Sequence, residues 1–157
     1  LGDLVILLAY AFLPTIGTSF VTTGAIDWSV LLIALPVGLI TDGILHSNNT
    51  RDTLTDRRAG IKTMAMGLGH KASAILYGFE VIFPYVWIGV LSIIGLMPIT
   101  TIVIFLTLAV AIGCAKTMMH SLEGGSGVIA DLDVRTANLQ LMFSALLTVA
   151  FIVAKFI

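Results

Sequence analysis

The chain has 157 residues, of which 58% are hydrophobic and only 11% are charged, and its formal net charge at pH 7 is −1. With a mean hydropathy of +1.08, this composition excludes an ordinary soluble domain and is typical of an integral membrane protein. The balanced charge and the lack of a basic tract argue against a nucleic-acid partner. Cys114 is the only cysteine, so it has no disulfide partner within the chain and is predicted to be a small buried hydrophobic residue.

Five apolar runs follow one another along the chain, at residues 4–23, 28–40, 72–96, 97–118 and 139–157. Each approaches or reaches the roughly 20 residues that a membrane-spanning helix needs. Asp42 interrupts the second run, but no helix breaker follows before Gly60, so we expect this helix to continue to about Ala59. The pattern predicts an all-α, multi-pass membrane bundle of five transmembrane helices that forms a single domain over residues 1–157.

The basic residues alternate between the connecting segments. The link between the second and third runs holds five of them, the link between the fourth and fifth holds two, and the other two links hold none: Arg51, Arg57, Arg58, Lys62 and Lys71, then Lys116 and Arg135. Because Lys and Arg in short loops are retained in the cytoplasm, we expect both basic segments on the cytoplasmic side. Residues 121–135 are rich in Gly, Asp and Ser and predict a flexible loop there.

The four prolines fit this layout. Pro98 lies where a helix can start, whereas Pro14, Pro36 and Pro84 fall within apolar runs. Proline inside a spanning helix predicts a kink, since neighbouring groups can satisfy the freed carbonyl.

The end of the second helix carries three oxygen-bearing side chains at a regular interval. Asn48, Asp52 and Asp56 are four residues apart, which stacks them on one helix face with about 40° of drift per step. Two carboxylates and an amide oxygen suit Mg²⁺, whose remaining positions go to water and substrate phosphates.

A helix from Trp28 to Ala59 would be on the order of 45 Å long against about 30 Å of hydrocarbon, so these turns lie outside the lipid. The spacing alone leaves a salt-bridged surface face as an alternative.

Cationic side chains lie among and just after these three residues in the sequence. Arg51, Arg58 and Lys62 could meet phosphate oxygens, Arg through its fork and Lys as a point charge. Each of them could equally serve as an anchor at the end of a membrane helix.

Three ionisable residues lie deeper in the predicted spans. Asp42 and His46 precede the Asn48 turn, and Glu80 lies in the third run. Such residues are costly in a membrane and suggest function. His46 is either a proton carrier or a hydrogen-bonded packing residue, Asp42 caps or pairs locally, and Glu80 has no assigned role. The functional alternative is a cation or proton transporter that uses all three as a relay.

The sequence "HSNNTRDTLTDRRAGIKTMAMGLG", residues 46–69, resembles the second aspartate-rich motif of the UbiA-type intramembrane prenyltransferases. It is most similar to the 1,4-dihydroxy-2-naphthoate polyprenyltransferase branch and its animal vitamin K relative. Two further stretches agree in order and spacing: "LGDLVILLAYAFLP" at residues 1–14 and "RTANLQLMF" at residues 135–143. The motif positions matched are Asn48, Asn49, Arg51, Asp52, Asp56, Gly60, Thr63 and Ala65, while Met64 replaces the usual Leu.

The resemblance implies a fold of nine membrane helices around a cavity open to the cytoplasm, of which this chain resembles the last five. Residues 1–157 would then form the second half of a prenyltransferase membrane domain, with the first aspartate-rich motif in a missing N-terminal half. We therefore expect the 157 residues alone to be catalytically inactive. The expected location is the plasma membrane, with the active site facing the cytoplasm.

The resemblance also implies a reaction. A polyprenyl group would pass from an allylic polyprenyl diphosphate to an aromatic acceptor, which would be 1,4-dihydroxy-2-naphthoate in menaquinone biosynthesis. Other acceptors, such as 4-hydroxybenzoate or a chlorophyll or haem precursor, stay open. By carry-over, Asp52 and Asp56 are catalytic and ligate Mg²⁺ with Asn48. Diphosphate would be bound by Arg51, Lys62 and Asn49, and the aromatic acid would lie near Arg135 and residues 121–135.

Overall fold

The computed structural model describes residues 2–157, with all of their side chains except that of Asp3. Within this range the chain is helical, without a strand, and five of its helices are long and apolar enough to cross a membrane. This confirms the predicted all-α bundle of five spans and is consistent with an integral membrane protein. In chain order the helices are α1 (Leu4–Thr23), α2 (Trp28–Arg51), α3 (Thr53–Arg58), α4 (Met64–Leu68), α5 (His70–Ile93), α6 (Ile99–Gly124) and α7 (Ser126–Val153).

The first helix contains a π-helical segment, Leu7–Phe12, just before its proline. The backbone N–H of Leu13 donates to the carbonyl of Leu8, five residues earlier. Pro14 has no N–H to donate, and its ring would clash with the carbonyl four residues before it. A wider turn ahead of the ring relieves this clash. Proline therefore alters the helix geometry here, whereas Pro36 and Pro84 lie inside continuous helices.

The turn between α1 and α2 has a simple local cause. Gly24 takes a left-handed conformation (φ 75°), and its N–H donates to the carbonyl of Phe20 at 2.8 Å. Glycine adopts this conformation without a Cβ penalty and ends the helix. Asp27 then caps α2, because its Oδ1 accepts from the backbone N–H of Ser29 at 2.8 Å.

Helices α1 and α2 cross closely at Gly38, which lies on α2. A Cβ placed on this residue would lie 2.7 Å from the Cβ of Ala11 and 2.9 Å from the Cδ2 of Leu7. Both distances are shorter than carbon atoms tolerate. The lack of a side chain at Gly38 therefore allows α1 to pack directly against α2.

The second helix follows the predicted path with one difference. Asp52 (φ −92°, ψ 10°) separates α2 from α3, so the expected single helix to Ala59 is interrupted there. The backbone hydrogen bonds nevertheless continue across it, from Asp52 N–H to Asn48 at 2.9 Å and from Asp56 N–H to Asp52 at 2.9 Å. Gly60, with φ 73°, follows the end of α3 as the sequence predicts.

The core lies among α2, α5, α6 and α7. Tyr85 packs edge-on against Phe143 at a centroid distance of 5.4 Å, and its hydroxyl meets Thr107 Oγ1 at 2.7 Å. Tyr77 makes the same kind of contact with Thr136, at 2.6 Å. Aromatic residues can be fully buried when their polar atoms have a partner. Cys114 is buried in this core, as predicted.

Residues 121–135 are not the flexible loop that their composition predicts. The sixth helix continues to Gly124, Gly125 turns the chain at φ 76°, and α7 begins at Ser126 with a 3-10 turn. Ile129 and Leu132 are fully buried. Two buried apolar side chains fix this segment, and one glycine suffices for the reversal. The prediction of a flexible loop is therefore wrong.

Candidate active site

Arg51, the last residue of α2, is the centre of a hydrogen-bonded cluster. Its Nε donates to Asp52 Oδ1 at 2.9 Å and its Nη2 donates to Asp52 Oδ2 at 3.0 Å, so the guanidinium grips the carboxylate as a fork. Nη2 also donates to Asn48 Oδ1. The helical spacing thus brings Asn48 and Asp52 to the same place, as the sequence predicts.

The other side of the guanidinium contacts the start of α7. Nη1 of Arg51 donates to Asp133 Oδ2 at 2.9 Å and to the carbonyl of Ala130 at 3.0 Å. Arg51 and Asp133 are both 24% exposed and Asp52 is 36% exposed, so the cluster lies at the edge of the packed region. Arg51 therefore joins the end of the second span to the beginning of the fifth.

Sequence reasoning missed Asp133, which lies 82 residues from Arg51. The signal that could have found it is topological. The basic-residue count places both residues at the same end of the bundle, where an arginine and an acidic residue have opposite charge.

The cluster is electrostatically negative. Arg51 supplies one positive charge, whereas Asp52 and Asp133 together supply two negative charges. The hydrogen bond from Arg51 lowers the pKa of Asp52 below its ordinary value, while partial burial opposes this shift and the positive charge of Arg51 adds to it. Asp52 is therefore ionised at neutral pH, and the cluster favours an additional cation.

The remaining predicted site residues lie close to this cluster in the sequence, at the end of the second span and just beyond it. Asp56 is half-buried and lies one turn beyond Asp52. Asn49 is also half-buried, and its carbonyl accepts from the hydroxyl of Thr53 at 3.0 Å. Lys62 is exposed and follows the Gly60 turn, outside the set of groups that contact Arg51. The structure thus joins Arg51, Asp52 and Asn48 directly, whereas Asn49, Asp56 and Lys62 make no side-chain hydrogen bond to Arg51.

The donor set fits Mg²⁺ in chemistry, although it is not a closed metal cage. In the part of the chain that the structure describes, no three His, Cys, Asp or Glu side chains form a group that could hold a metal ion. Magnesium, however, is usually held by one or two carboxylates, with water and phosphate oxygens as its other ligands. Asp52, Asp56 and the amide oxygen of Asn48 are the residues that would hold it.

Two cavities adjoin the cluster. A groove of about 260 Å³ runs between α1, α2 and the start of α7. Its wall is mainly apolar, and its polar end is formed by Asn48 and Asp133; the other lining residues are Ile6, Tyr10, Thr41, Ile44 and Leu45. A second cavity, of about 350 Å³, lies among α2 to α5 and the Gly125 turn and is bordered by Arg51, Arg57 and His70.

The deeper ionisable residues are buried inside the bundle. His46 Nδ1 lies 3.5 Å from Glu80 Oε1, and the two side chains are 0% and 2% exposed. Asp42, one turn before His46, is also buried. Glu80 thus has an ionisable neighbour on α2, His46, that its sequence position did not reveal. The pair joins α2 to α5 below the Arg51 cluster.

Arg135 is not part of the Arg51 cluster. Its Nη1 donates to Thr117 Oγ1 on α6 at 3.1 Å. Because residues two apart on a helix point about 200° away from each other, Arg135 faces α6 while Asp133 faces Arg51. The structure therefore separates Arg135 from the residues that would bind the metal and the diphosphate.

The chain is similar to known proteins over much of its length. A family model described as the UbiA prenyltransferase family matches residues 1–127. The UbiA prenyltransferase domain-containing protein 1 homolog of Drosophila melanogaster is 46% identical over 85 residues, which are 54% of this chain and 24% of that protein. The corresponding proteins of Xenopus tropicalis and Homo sapiens are 44% and 40% identical over 92 residues, which are 59% of this chain and 27% of each protein.

These matches cover a limited part of the relatives. The aligned residues span about a quarter of the length of each curated relative named above. No solved structure matches the chain.

Proposed function

Because this chain belongs to the UbiA prenyltransferase family, we propose that the protein transfers a polyprenyl group from an allylic polyprenyl diphosphate to an aromatic acceptor. The observation that carries the proposal is the Arg51 cluster at the end of a membrane-spanning helix. There a guanidinium fork, a carboxylate and an amide oxygen lie within hydrogen-bond distance of one another. These groups have the chemistry that binds a diphosphate together with a divalent cation.

The position of the cluster suits an amphipathic substrate. A polyprenyl tail is stable in lipid or in an apolar groove, whereas a diphosphate needs water, metal and cations. The groove between α1 and α2 has an apolar wall and ends at Asn48 and Asp133. A prenyl chain in this groove would have its diphosphate next to Arg51, which supports a site at the membrane boundary.

In the proposed reaction, the allylic carbon–oxygen bond breaks, diphosphate leaves, and a carbon of the aromatic ring attacks the allylic carbon. Mg²⁺, when bound, neutralises charge that develops on the departing diphosphate. Asp52, Asp56 and Asn48 would hold the ion. Arg51 would bind phosphate oxygens through its fork, Lys62 would add a mobile positive charge, and Asn49 would contact or shape the site.

We propose 1,4-dihydroxy-2-naphthoate as the acceptor, in menaquinone biosynthesis. The support is the similarity of residues 48–65 to the motif of that branch. In this reaction the prenyl group replaces a carboxylate, which leaves as carbon dioxide. The proposed location is the plasma membrane, with the Arg51 cluster on the cytoplasmic side.

The matched residues span only about a quarter of each relative, so we treat the activity of these 157 residues separately from that of the complete protein. The proposed site has one aspartate-rich motif in this chain, and we propose that a first such motif, in an N-terminal half of the same protein, completes it. Purified residues 1–157 should then release no prenylated product, while the complete protein should. Robust turnover by the 157-residue chain would contradict this part of the proposal.

The function is tested by supplying candidate acceptors to the complete protein in membranes, with farnesyl or geranylgeranyl diphosphate as donor. The expected result is prenylated product from 1,4-dihydroxy-2-naphthoate, with release of carbon dioxide. Product from 4-hydroxybenzoate or from a chlorophyll or haem precursor alone would change the acceptor and keep the reaction class. Ion-coupled flux in liposomes without any prenyl transfer would contradict the class itself.

A further inference from the structure

We propose that Asp133 is a positioning residue, which holds Arg51 beside the diphosphate when Asp52 and Asn48 turn from Arg51 to the metal ion. The inference rests on the proposed function, because it concerns how Arg51 is held when that site binds Mg²⁺ and the diphosphate. Neither the aspartate-rich motif nor its helical spacing assigns a role to Asp133, which belongs to another helix.

The guanidinium of Arg51 is held on two sides by two different elements. Its Nε and Nη2 donate to Asp52 and Asn48, which are its own neighbours on α2 and the residues proposed to bind Mg²⁺. Its Nη1 donates to Asp133 and to the carbonyl of Ala130, which lie at the start of α7 and have no proposed metal role. A metal ion at Asp52 therefore competes with only one side of the guanidinium.

The side that is released has the geometry a phosphate needs. Nε and Nη2 grip the two oxygens of Asp52 at 2.9 and 3.0 Å. The same pair of N–H groups binds a phosphate in the same bidentate manner. The Asp52 carboxylate thus occupies the position that two phosphate oxygens would take. When a cation draws Asp52 away, the fork stays available to the diphosphate.

Asp133 is well placed to keep Arg51 there. Its Oδ1 accepts from the backbone N–H of Val134 at 2.9 Å, which orients the carboxylate and leaves Oδ2 for Arg51. The turn that carries it is fixed by the buried side chains of Ile129 and Leu132. An arginine side chain that lost all of its partners would regain its rotamer freedom. The bonds to Asp133 and Ala130 prevent this loss of order.

The carboxylate of Asp133 repels a diphosphate less than its charge alone would imply, because the guanidinium lies between them. Asp133 binds Nη1, on the opposite side from the Nε–Nη2 fork. The neutral amide of an asparagine would keep an acceptor oxygen for Arg51 but would lose the Coulombic attraction between the Asp133 carboxylate and the guanidinium, so it would hold Arg51 less firmly.

The test uses the complete protein and measures the affinity for inorganic diphosphate in the presence of Mg²⁺, without acceptor, together with KM and kcat for geranylgeranyl diphosphate. Asp133→Asn is expected to weaken the binding of inorganic diphosphate on the order of tenfold. Asp133→Asn is expected to raise KM for the diphosphate on the order of tenfold, with kcat within about twofold of wild type and KM for the acceptor unchanged. Asp131→Asn is the matched control, because Asp131 is exposed and lies one half-turn away. Because Arg51 makes no hydrogen bond to Asp131, this variant is expected to leave KM for the diphosphate unchanged.

A double variant separates positioning from a general structural role. If Asp133 acts through Arg51, Asp133→Asn adds no further loss in an Arg51→Ala background. The inference is overturned if Asp133→Asn raises KM for the diphosphate by the same factor in the wild-type and in the Arg51→Ala background. If Asp133→Asn does not fold, Asp133→Glu replaces it, since the longer carboxylate displaces Arg51 and is expected to raise KM severalfold.

The outcomes for the inference and for the proposed function are distinguishable. A wild-type protein that transfers no prenyl group overturns the proposed function, and the inference with it. A wild-type protein that is active, with Asp133→Asn no different from Asp131→Asn, overturns the inference alone. A decrease in kcat at unchanged KM for the diphosphate also overturns it, because the lost interaction would not be one that binds the substrate's diphosphate.

Discussion

Arg51 and Asp52 are adjacent in the chain and meet through two parallel hydrogen bonds, from Nε to Oδ1 at 2.9 Å and from Nη2 to Oδ2 at 3.0 Å. Neighbouring residues on a regular helix point about 100° apart. A uniform helix would therefore not favour the pairing of these two side chains. The helix is interrupted at Asp52, where they pair. The pair forms the part of the site that both the metal and the diphosphate would use.

The pairing of Asp52 with Arg51 predicts a pH dependence of stability. Because the pKa of Asp52 is lowered in the folded state, its ionised form stabilises the fold above the ordinary Asp value of about 3.9. This contribution is lost as the pH falls through the lowered pKa. The difference in thermal stability between wild type and Asp52→Asn in detergent should therefore shrink from pH 7 to below about pH 4. A difference that stays constant over this range would contradict the prediction.

The guanidinium fork predicts that charge alone is insufficient at position 51. Arg51→Lys keeps the positive charge but replaces the planar fork with a point charge. We expect KM for geranylgeranyl diphosphate to rise on the order of tenfold in the complete protein, because bidentate contacts are lost. Arg58→Lys is the control, because Arg58 is exposed on α3 and makes no hydrogen bond to Asn48, Asp52 or Asp133, and it should leave KM for the diphosphate unchanged. Equal effects of the two substitutions would argue that Arg51 acts only as a helix-end anchor.

The close crossing of α1 and α2 predicts a stability effect at Gly38. A methyl group there would meet Ala11 at 2.7 Å and Leu7 at 2.9 Å, so Gly38→Ala should destabilise the folded protein by about 1–3 kcal/mol. Gly17→Ala is the matched control on α1, where an added Cβ meets nothing within 4 Å. Helix propensity alone should make that change neutral or stabilising. Thermal unfolding of the two variants in the same detergent measures the difference, and equal midpoints would show that the crossing is looser than the structure indicates.

The buried His46–Glu80 pair predicts non-additive effects. The two side chains are 3.5 Å apart and almost fully buried, so removing one partner leaves a buried polar group in an altered environment and should cost about 1–3 kcal/mol. The double variant His46→Phe with Glu80→Leu should lose less stability than the two single variants together. A double-mutant cycle on thermal unfolding measures this coupling. Additive losses would mean that the two residues do not interact.

The spans were predictable because lipid imposes a strong constraint on composition. A spanning helix needs about 20 apolar residues, and the five runs in the sequence correspond to α1, α2, α5, α6 and α7. The common face of Asn48 and Asp52 was predictable for a similar reason, since the helical repeat alone brings residues four apart together.

Features that depend on tertiary contacts were not predictable in the same way. The contact of Arg51 with Asp133 joins residues 82 positions apart, and no local pattern encodes it. Residues 121–135 have the composition of a loop, yet the burial of Ile129 and Leu132 holds them in helical turns. Local composition predicts chain flexibility only where no apolar side chain of the segment packs into the core.

The site roles that the family resemblance implies stay predictions for all six residues: Asn48, Asn49, Arg51, Asp52, Asp56 and Lys62. Their shared location at one end of the bundle makes them testable as a group. We propose that Asp52 and Asp56 hold a divalent cation that the reaction needs.

The most direct measurement is Mg²⁺-dependent prenyl transfer by the complete protein with Asp52→Ala, Asp56→Ala or Asp131→Ala. The first two substitutions are expected to lower turnover on the order of a hundredfold or more, because charge on the departing diphosphate would no longer be neutralised. Asp131→Ala should retain wild-type turnover and wild-type dependence on Mg²⁺. Near-normal transfer by Asp52→Ala and Asp56→Ala would contradict the claim.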